Sequence, residues 1–184
     1  LVSSPDGEWI AATPDGYYDS SPEGKEGIYW VPEAGNETYS FEQFESLFRR
    51  PDILRARIAG KLEAGKPAPA LTSPPVLEMP DHLGIKETQE ATYPLRLTAR
   101  APREVKTVRV FVNGRPGLEA PVGTREKELS LQVPLFSGAN RITAVAYDER
   151  GFSSNPRYVD VLSRRAGQAK PDLYVFAIGI SGYP

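Results

Sequence analysis

Between residues 76 and 163, apolar and polar side chains alternate with the two-residue period of half-buried strands. Tyr93, Leu95, Leu97 and Ala99 share one face, and Arg96, Thr98 and Arg100 share the other. Val108, Val110 and Val112 repeat the pattern and run into Asn113-Gly114, the dipeptide best suited to a two-residue hairpin turn. Leu129, Leu131 and Val133, then Ile142, Ala144 and Ala146, then Val159 and Val161 continue it. Adding the Pro75–Pro80 segment and a short edge near Leu118 predicts seven strands separated by turns. Their number and spacing are those of an immunoglobulin-like β-sandwich, and their polar outer faces predict a module that closes on itself.

Residues 1–64 follow another rhythm. Glu8–Ala12, Gly16–Asp19 and Gly27–Val31 are aromatic or β-branched, and Pro-Asp-Gly turns at Pro5 and Pro14 separate the first strands. Proline presets φ for the first central turn position and glycine accepts a positive φ, so this spacing predicts hairpins. A helix is then predicted from Ser40, which forms a capping box with Gln43, while Tyr39 and Phe44 form the staple around it. Phe41, Phe44, Leu47 and Phe48 mark its buried face, and Arg49 and Arg50 lie where cations suit a helix C-terminus. Pro51 is placed to open a second helix with Leu54, Ile58 and Leu62 on one face. Gly60 would sit inside it at a cost of about 1 kcal/mol, and Gly65 would end it. The three phenylalanines are expected to form a core with Trp9 and Trp30.

The fold class predicted is therefore mainly β with a small α+β N-terminal part. Four regions are expected: a strand–helix adaptor at 1–64, a proline-rich linker at 65–75, the sandwich at 76–163, and a basic linker with a final strand at 164–184. The linker carries four prolines in Gly65–Pro75 and favours an extended, semi-rigid path. The final stretch, Leu173 to Ile180, is apolar without alternation, which suits a strand buried on both faces of a parallel sheet. Such a strand, lacking a sheet of its own, is expected to add to an edge, to pair with another copy, or to stay poorly ordered.

Composition narrows the chemistry. A net charge of −2 argues against a sequence-independent grip on nucleic acid and against attraction to an anionic membrane surface. The absence of cysteine removes disulfides, thiolate catalysis and Cys-ligated zinc from this chain. No stretch reaches the ~18 apolar residues of a membrane span. Neither a signal peptide nor an initiator Met opens the sequence, so a piece of a longer polypeptide is expected, cytoplasmic or exported, with the former favoured.

Each candidate site has a plain alternative. His82, the single histidine, is flanked by Asp81 with Ser73 upstream, yet nearness in sequence does not make a triad; an exposed loop is the expectation. Gly179–Tyr183 falls one position short of a nucleophile elbow, since Tyr183 replaces the last glycine. Asp15, Asp19 and Glu23 lack calcium-loop spacing and read as turn acids capping their own backbone. Glu42 and Glu45 read as the solvated face of a helix rather than a glycosidase pair. Asn36-Glu37-Thr38 fits a glycosylation sequon, and the charges from Thr124 read as surface. Tyr17, Tyr18, Tyr29 and Trp30 could stack on sugar or peptide, with a core or interdomain role the expected one. No catalytic, cofactor-binding or metal residue is predicted, and no cofactor.

Two segments carry a resemblance. "SPDGEWIAATPDGYYDSSPEG" followed by "YWV" and "FRRPDIL" resembles the region after the WD40 propeller in bacterial WD40–caspase fusion proteins. The terminal "PDLYVFAIGISGYP" is similar to the first core strand of their caspase-like, metacaspase-type peptidase domain. An Ig-like spacer is often found between the two. The resemblance implies that the final strand belongs to a sheet continued beyond Pro184, and that the catalytic His and Cys of that family match no position here. It also implies partners: the flanking propeller and peptidase domains of the same polypeptide, or another protein. The function expected is a non-catalytic connector that spaces and orients its neighbours. The rival is a carbohydrate- or cell-surface-binding module, which an exposed aromatic row would favour; a stand-alone hydrolase would need a cleft around His82.

Overall fold

The computed structural model describes residues 1–26, 28–31, 37–61 and 72–165. In the N-terminal unit β1 (Val2–Ser3), β2 (Trp9–Ala12) and β3 (Tyr18–Ser20) form an antiparallel meander. Both Pro-Asp-Gly turns close as predicted. The Gly7 N–H donates to the Ser4 carbonyl at 3.1 Å and the Gly16 N–H to the Thr13 carbonyl at 2.9 Å, with φ of 88° and 94° that only glycine adopts cheaply. β4 (Tyr29–Trp30) pairs with β5 (Tyr39–Ser40), and Tyr39 leads into a 3-10 turn at Phe41–Phe44.

The helical stretch is more broken than its pattern predicts. The 3-10 turn continues as one α-turn, α1 (Glu45–Phe48); Arg49 is then extended, and α2 runs from Pro51 to Ile58. Pro51 is the reason: its ring disfavours helical backbone at Arg50, so the chain must leave one helix before entering the next. The Arg50 N–H instead donates to the Tyr18 carbonyl at 2.9 Å, which ties the break to β3. Gly60 corrects the prediction. At φ 70° it ends α2: the Gly60 N–H donates to the Arg57 carbonyl at 3.0 Å and the Lys61 N–H to the Ala56 carbonyl at 2.9 Å, a Schellman closure. Ile58 is consequently exposed rather than packed, while Leu54 is buried. Leu62 and Gly65 lie outside the described residues. The core here is Ile10, Tyr17, Tyr18, Tyr39, Phe44 and Phe48, with Phe41 and Trp30 half-buried against it. Trp9 is not part of it, because it alternates with Ile10 to the other face of β2.

The sandwich comprises β6 (Val76–Glu78), β7 (Ile85–Thr88), β8 (Thr92–Val112), β9 (Arg115–Pro134), β10 (Gly138–Asp148) and β11 (Arg157–Ser163). β8 and β9 are an antiparallel hairpin turned at Asn113-Gly114, both with positive φ, and they serve both layers. Register breaks after Arg100 bend them. Residues 92–100 of β8 lie between β6 and the second part of β9; residues 105–112 lie between β10 and the first part of β9. The second layer continues through β11 to β7, which pairs parallel to β11. Leu77, Leu95, Leu97, Val108, Val110, Val133, Ile142, Val159 and Val161 fill the space between the layers, as their alternation predicts. β7 was not predicted: it is four residues long with Ile85 as its single apolar residue, so it carries no apolar period.

Candidate functional site: the joint between the two units

The chain linking β10 to β11 leaves the sandwich and enters the other unit. Gly151, at φ 88°, turns it, and its N–H donates to the Asp148 carbonyl at 3.1 Å. The buried Asp148 carboxylate accepts the N–H groups of Arg150 at 2.9 Å and Phe152 at 2.8 Å. The Asp148 N–H in turn donates to the Phe152 carbonyl, and Ser154 is tied to Ala146 through both main chain and hydroxyl. A loop held this way presents its side chain in one geometry.

That side chain is Phe152. It belongs to the sandwich, yet it is fully buried among the aromatics of the N-terminal unit. Its ring stands edge-on to Phe44 at 5.0 Å and 77°, and lies near-parallel to Phe48 at 6.3 Å, arrangements that aromatic quadrupoles favour.

Polar contacts ring this anchor. Gln43 has two roles: its carbonyl accepts the Ser40 N–H at 2.8 Å, completing the predicted capping box, and its amide donates to the Ser153 carbonyl at 2.8 Å. Asn155 donates to the Thr38 carbonyl at 3.0 Å and to Glu37 at 3.2 Å. Arg157 forms an ion pair with Glu37 and donates from Nε to the Leu77 carbonyl at 3.0 Å. Burial, followed by the nearby Glu37 charge, pushes the Tyr39 phenol up to about 12. Burial likewise raises Tyr18 to about 12, and its hydroxyl donates to the Phe41 carbonyl at 3.1 Å. Beside the joint a groove of about 590 Å³ opens between Glu37, Leu77, Met79, His82 and Arg157.

The predicted site residues fall apart from one another. His82 is exposed and its Nδ1 lies 2.7 Å from the Met79 carbonyl, so the ring engages main chain rather than a carboxylate. Asp15 does not cap its own turn alone: Arg57 binds it through two nitrogens at 2.9 and 2.7 Å. The Thr13 hydroxyl and the Arg57 guanidinium hold it below the usual carboxylate range. Asp19 accepts the Ser20 N–H and faces Arg49, while the Glu23 N–H is taken by Glu8. Among the described residues, no three His, Cys, Asp or Glu side chains lie close enough to hold a metal. Glu42 and Glu45 converge on Lys25 at 3.2 and 3.4 Å. Tyr17 and Tyr18 are core, Trp30 is half-buried edge-on to Phe44 at 5.1 Å, and Tyr29 is exposed. Thr124 donates to the Glu126 carbonyl at 2.9 Å on an exposed stretch of β9. Asn36, the Gly179–Tyr183 stretch and the final strand lie outside the described residues. The pattern of the sequence did not single out Phe152. Its one signal is a large apolar side chain stranded between a turn glycine and two serines, where a surface loop would be polar.

No family model matches the sequence, and neither does any curated protein. Among solved structures, the chain is similar to fibronectin(III)-like modules of Clostridium thermocellum CbhA, with 18% identity and a TM-score of 0.40 over 57% of this chain and 54% of that one. A Jonesia denitrificans lytic polysaccharide monooxygenase is matched at 20% identity and a TM-score of 0.36 over 44% of this chain and 58% of that one. A CARDB domain from Pyrococcus furiosus is matched at 20% identity and a TM-score of 0.31 over 52% of this chain and all of that one. The chain thus spans little more than half of the first two. The fold itself is mainly β, an Ig-like sandwich with a small helical part.

Proposed function

We propose that this chain is a non-catalytic connector that holds the units on either side of it at a set distance and angle. One observation carries the reading: Phe152 of the sandwich completes the aromatic core of the N-terminal unit. A side chain carried by one unit and buried in the core of the other couples their positions, because withdrawing it opens a cavity. The Gln43, Asn155 and Arg157 contacts add direction, since hydrogen bonds tolerate little rotation. The finer reading names the neighbours as a WD40 propeller and a caspase-like peptidase domain, and it rests on the resemblance of the two end segments. The carbohydrate-binding alternative draws less support. Tyr158 is the most exposed aromatic on the strands of the sandwich, and the Arg141 guanidinium lies 4.4 Å above its ring, where a sugar would have to stack.

Nuclear relaxation tests the connector reading. The N-terminal unit and the sandwich should report one shared rotational correlation time. Separate, faster tumbling of the two would overturn a rigid joint. Hydrolysis of Arg-, Lys- or Asp-directed peptide substrates by the purified chain would overturn its non-catalytic half.

A further inference from the structure

The open edge of β7 has a character that the other edges of the sandwich lack. The outer side of β9 carries Pro116, Pro121 and Pro134 along with the charged run Glu126, Lys127 and Glu128, and β6 is preceded by Pro74 and Pro75. Proline cannot donate to a ladder, so those edges are blunted. β7 has no proline, and among the described residues nothing pairs with its outer side. Apolar surface gathers beside it: Leu83 and Ile85 are each 72% exposed and Tyr158 is 49% exposed. The register Ile85↔Asp160 sets Ile85 on the outward face of the sheet that carries Tyr158.

The direction of the free groups follows from the ladder. The Arg164 N–H donates to the Thr88 carbonyl at 2.8 Å, so Thr88, and with it Lys86, points its main-chain groups at β11. Ile85 and Glu87 therefore point theirs outward. A second copy fits poorly. Same-face residues oppose each other in an antiparallel pair, so a two-fold pairing of β7 centres on one residue. Centred on Lys86 or Glu87 it sets like charges directly opposite, which is destabilising; centred on Ile85 it would need Gly84, at φ 73°, to continue the ladder, and centred on Thr88 it would need the bend that follows β7. Glu87 is already bound through both oxygens by Arg164 at 2.7 Å, whereas Lys86 has no carboxylate partner among the described residues.

We propose that β7 is a strand-addition site for an extended peptide with alternating apolar and acidic side chains. The peptide's main chain pairs with Ile85 and Glu87, its apolar residues cover Ile85, Leu83 and Tyr158, and an acidic residue on the opposite face meets Lys86. This holds whether or not the chain is a connector, and it concerns an edge away from the Phe152 joint.

Titration of the 15N-labelled chain with the acetylated, amidated peptide Val-Glu-Val-Glu-Val tests it. The Ile85 and Glu87 amides should shift and their hydrogen exchange slow by roughly tenfold or more, while Val-Lys-Val-Lys-Val binds more weakly. Glu87→Pro removes an outward N–H and the exposed ion pair with Arg164 but no main-chain bond to β11, so it should abolish the shifts and leave the remaining sandwich signals in place. Should that variant not fold, Ile85→Asp, at an exposed position, should weaken binding severalfold. Unmoved Ile85 and Glu87 amides at millimolar peptide, equal binding of the lysine peptide, or wild-type binding by a folded Glu87→Pro or Ile85→Asp variant would each overturn the proposal.

Discussion

Replacing Phe152 with alanine removes the side chain that the sandwich contributes to the core of the N-terminal unit. The ring is fully buried, and burying a phenylalanine is worth about 25 cal/mol for each Å² over roughly 150–200 Å², or about 4–5 kcal/mol. Measured Phe→Ala costs in cores are about 3–5 kcal/mol, because the surroundings relax only partly into the cavity. The polar contacts of Gln43, Asn155 and Arg157 would remain, each worth about 0.5–1.5 kcal/mol net, so they do not replace the anchor. The loss falls unevenly. The sandwich keeps its own core from Leu77 to Val161, whereas the N-terminal unit is small and loses a wall of its only one. Both tryptophans, Trp9 and Trp30, lie in the N-terminal unit, so their fluorescence reports that unit while far-ultraviolet circular dichroism is dominated by the sandwich. In the unmodified chain the two thermal transitions should coincide. In Phe152→Ala the fluorescence midpoint should fall by more than about 10 °C and separate from the dichroism midpoint. Coincident transitions in the variant, or a fluorescence midpoint that does not move, would refute the role of Phe152 as the anchor between the units.

Three further outcomes are expected. Asp148→Ala leaves the Phe152 N–H without its acceptor in a buried loop, which should cost about 1–3 kcal/mol in urea unfolding. Gly60→Ala forces a side chain onto a φ of 70° and should destabilise the end of α2 by about 1–2 kcal/mol, the opposite of the gain an alanine brings inside a helix; differential scanning calorimetry would show it. Tyr18 and Tyr39 are pushed up to about 12 by burial, above the ordinary phenol value near 10, so the folded state retains the proton that the unfolded state releases. Their contribution is complete below about pH 10 and is lost as pH rises toward about 12, so tryptophan-monitored stability should decline in that window.

Most of the sandwich was legible because each long strand is solvated on one face, and a period of two survives in the sequence wherever that is so. Alternation located the strands that supply Leu95, Val110, Ile142 and Val159, and the Asn113-Gly114 and Pro-Asp-Gly turns were readable because few residues accept their dihedrals. β7 escaped because its membership depends on the main chain of β11, a partner far away in sequence. The helical stretch was misjudged for a related reason. The periodicity of Phe41 to Ile58 records a preference, but Pro51 and the contact of Arg50 with Tyr18 decided where the helix breaks, and Gly60 decided where it stops.

The candidate site divides along the same line. The capping box of Ser40 and Gln43 is local chemistry, and the sequence alone determined it, as it did the alternating core and the hairpin turns. Only the tertiary structure decided that the Gln43 amide also reaches Ser153 and that Phe152 crosses from one unit into the core of the other. Residues 43 and 153 meet because two separately patterned units dock, and docking depends on the complementarity of finished surfaces, which no period along the chain encodes.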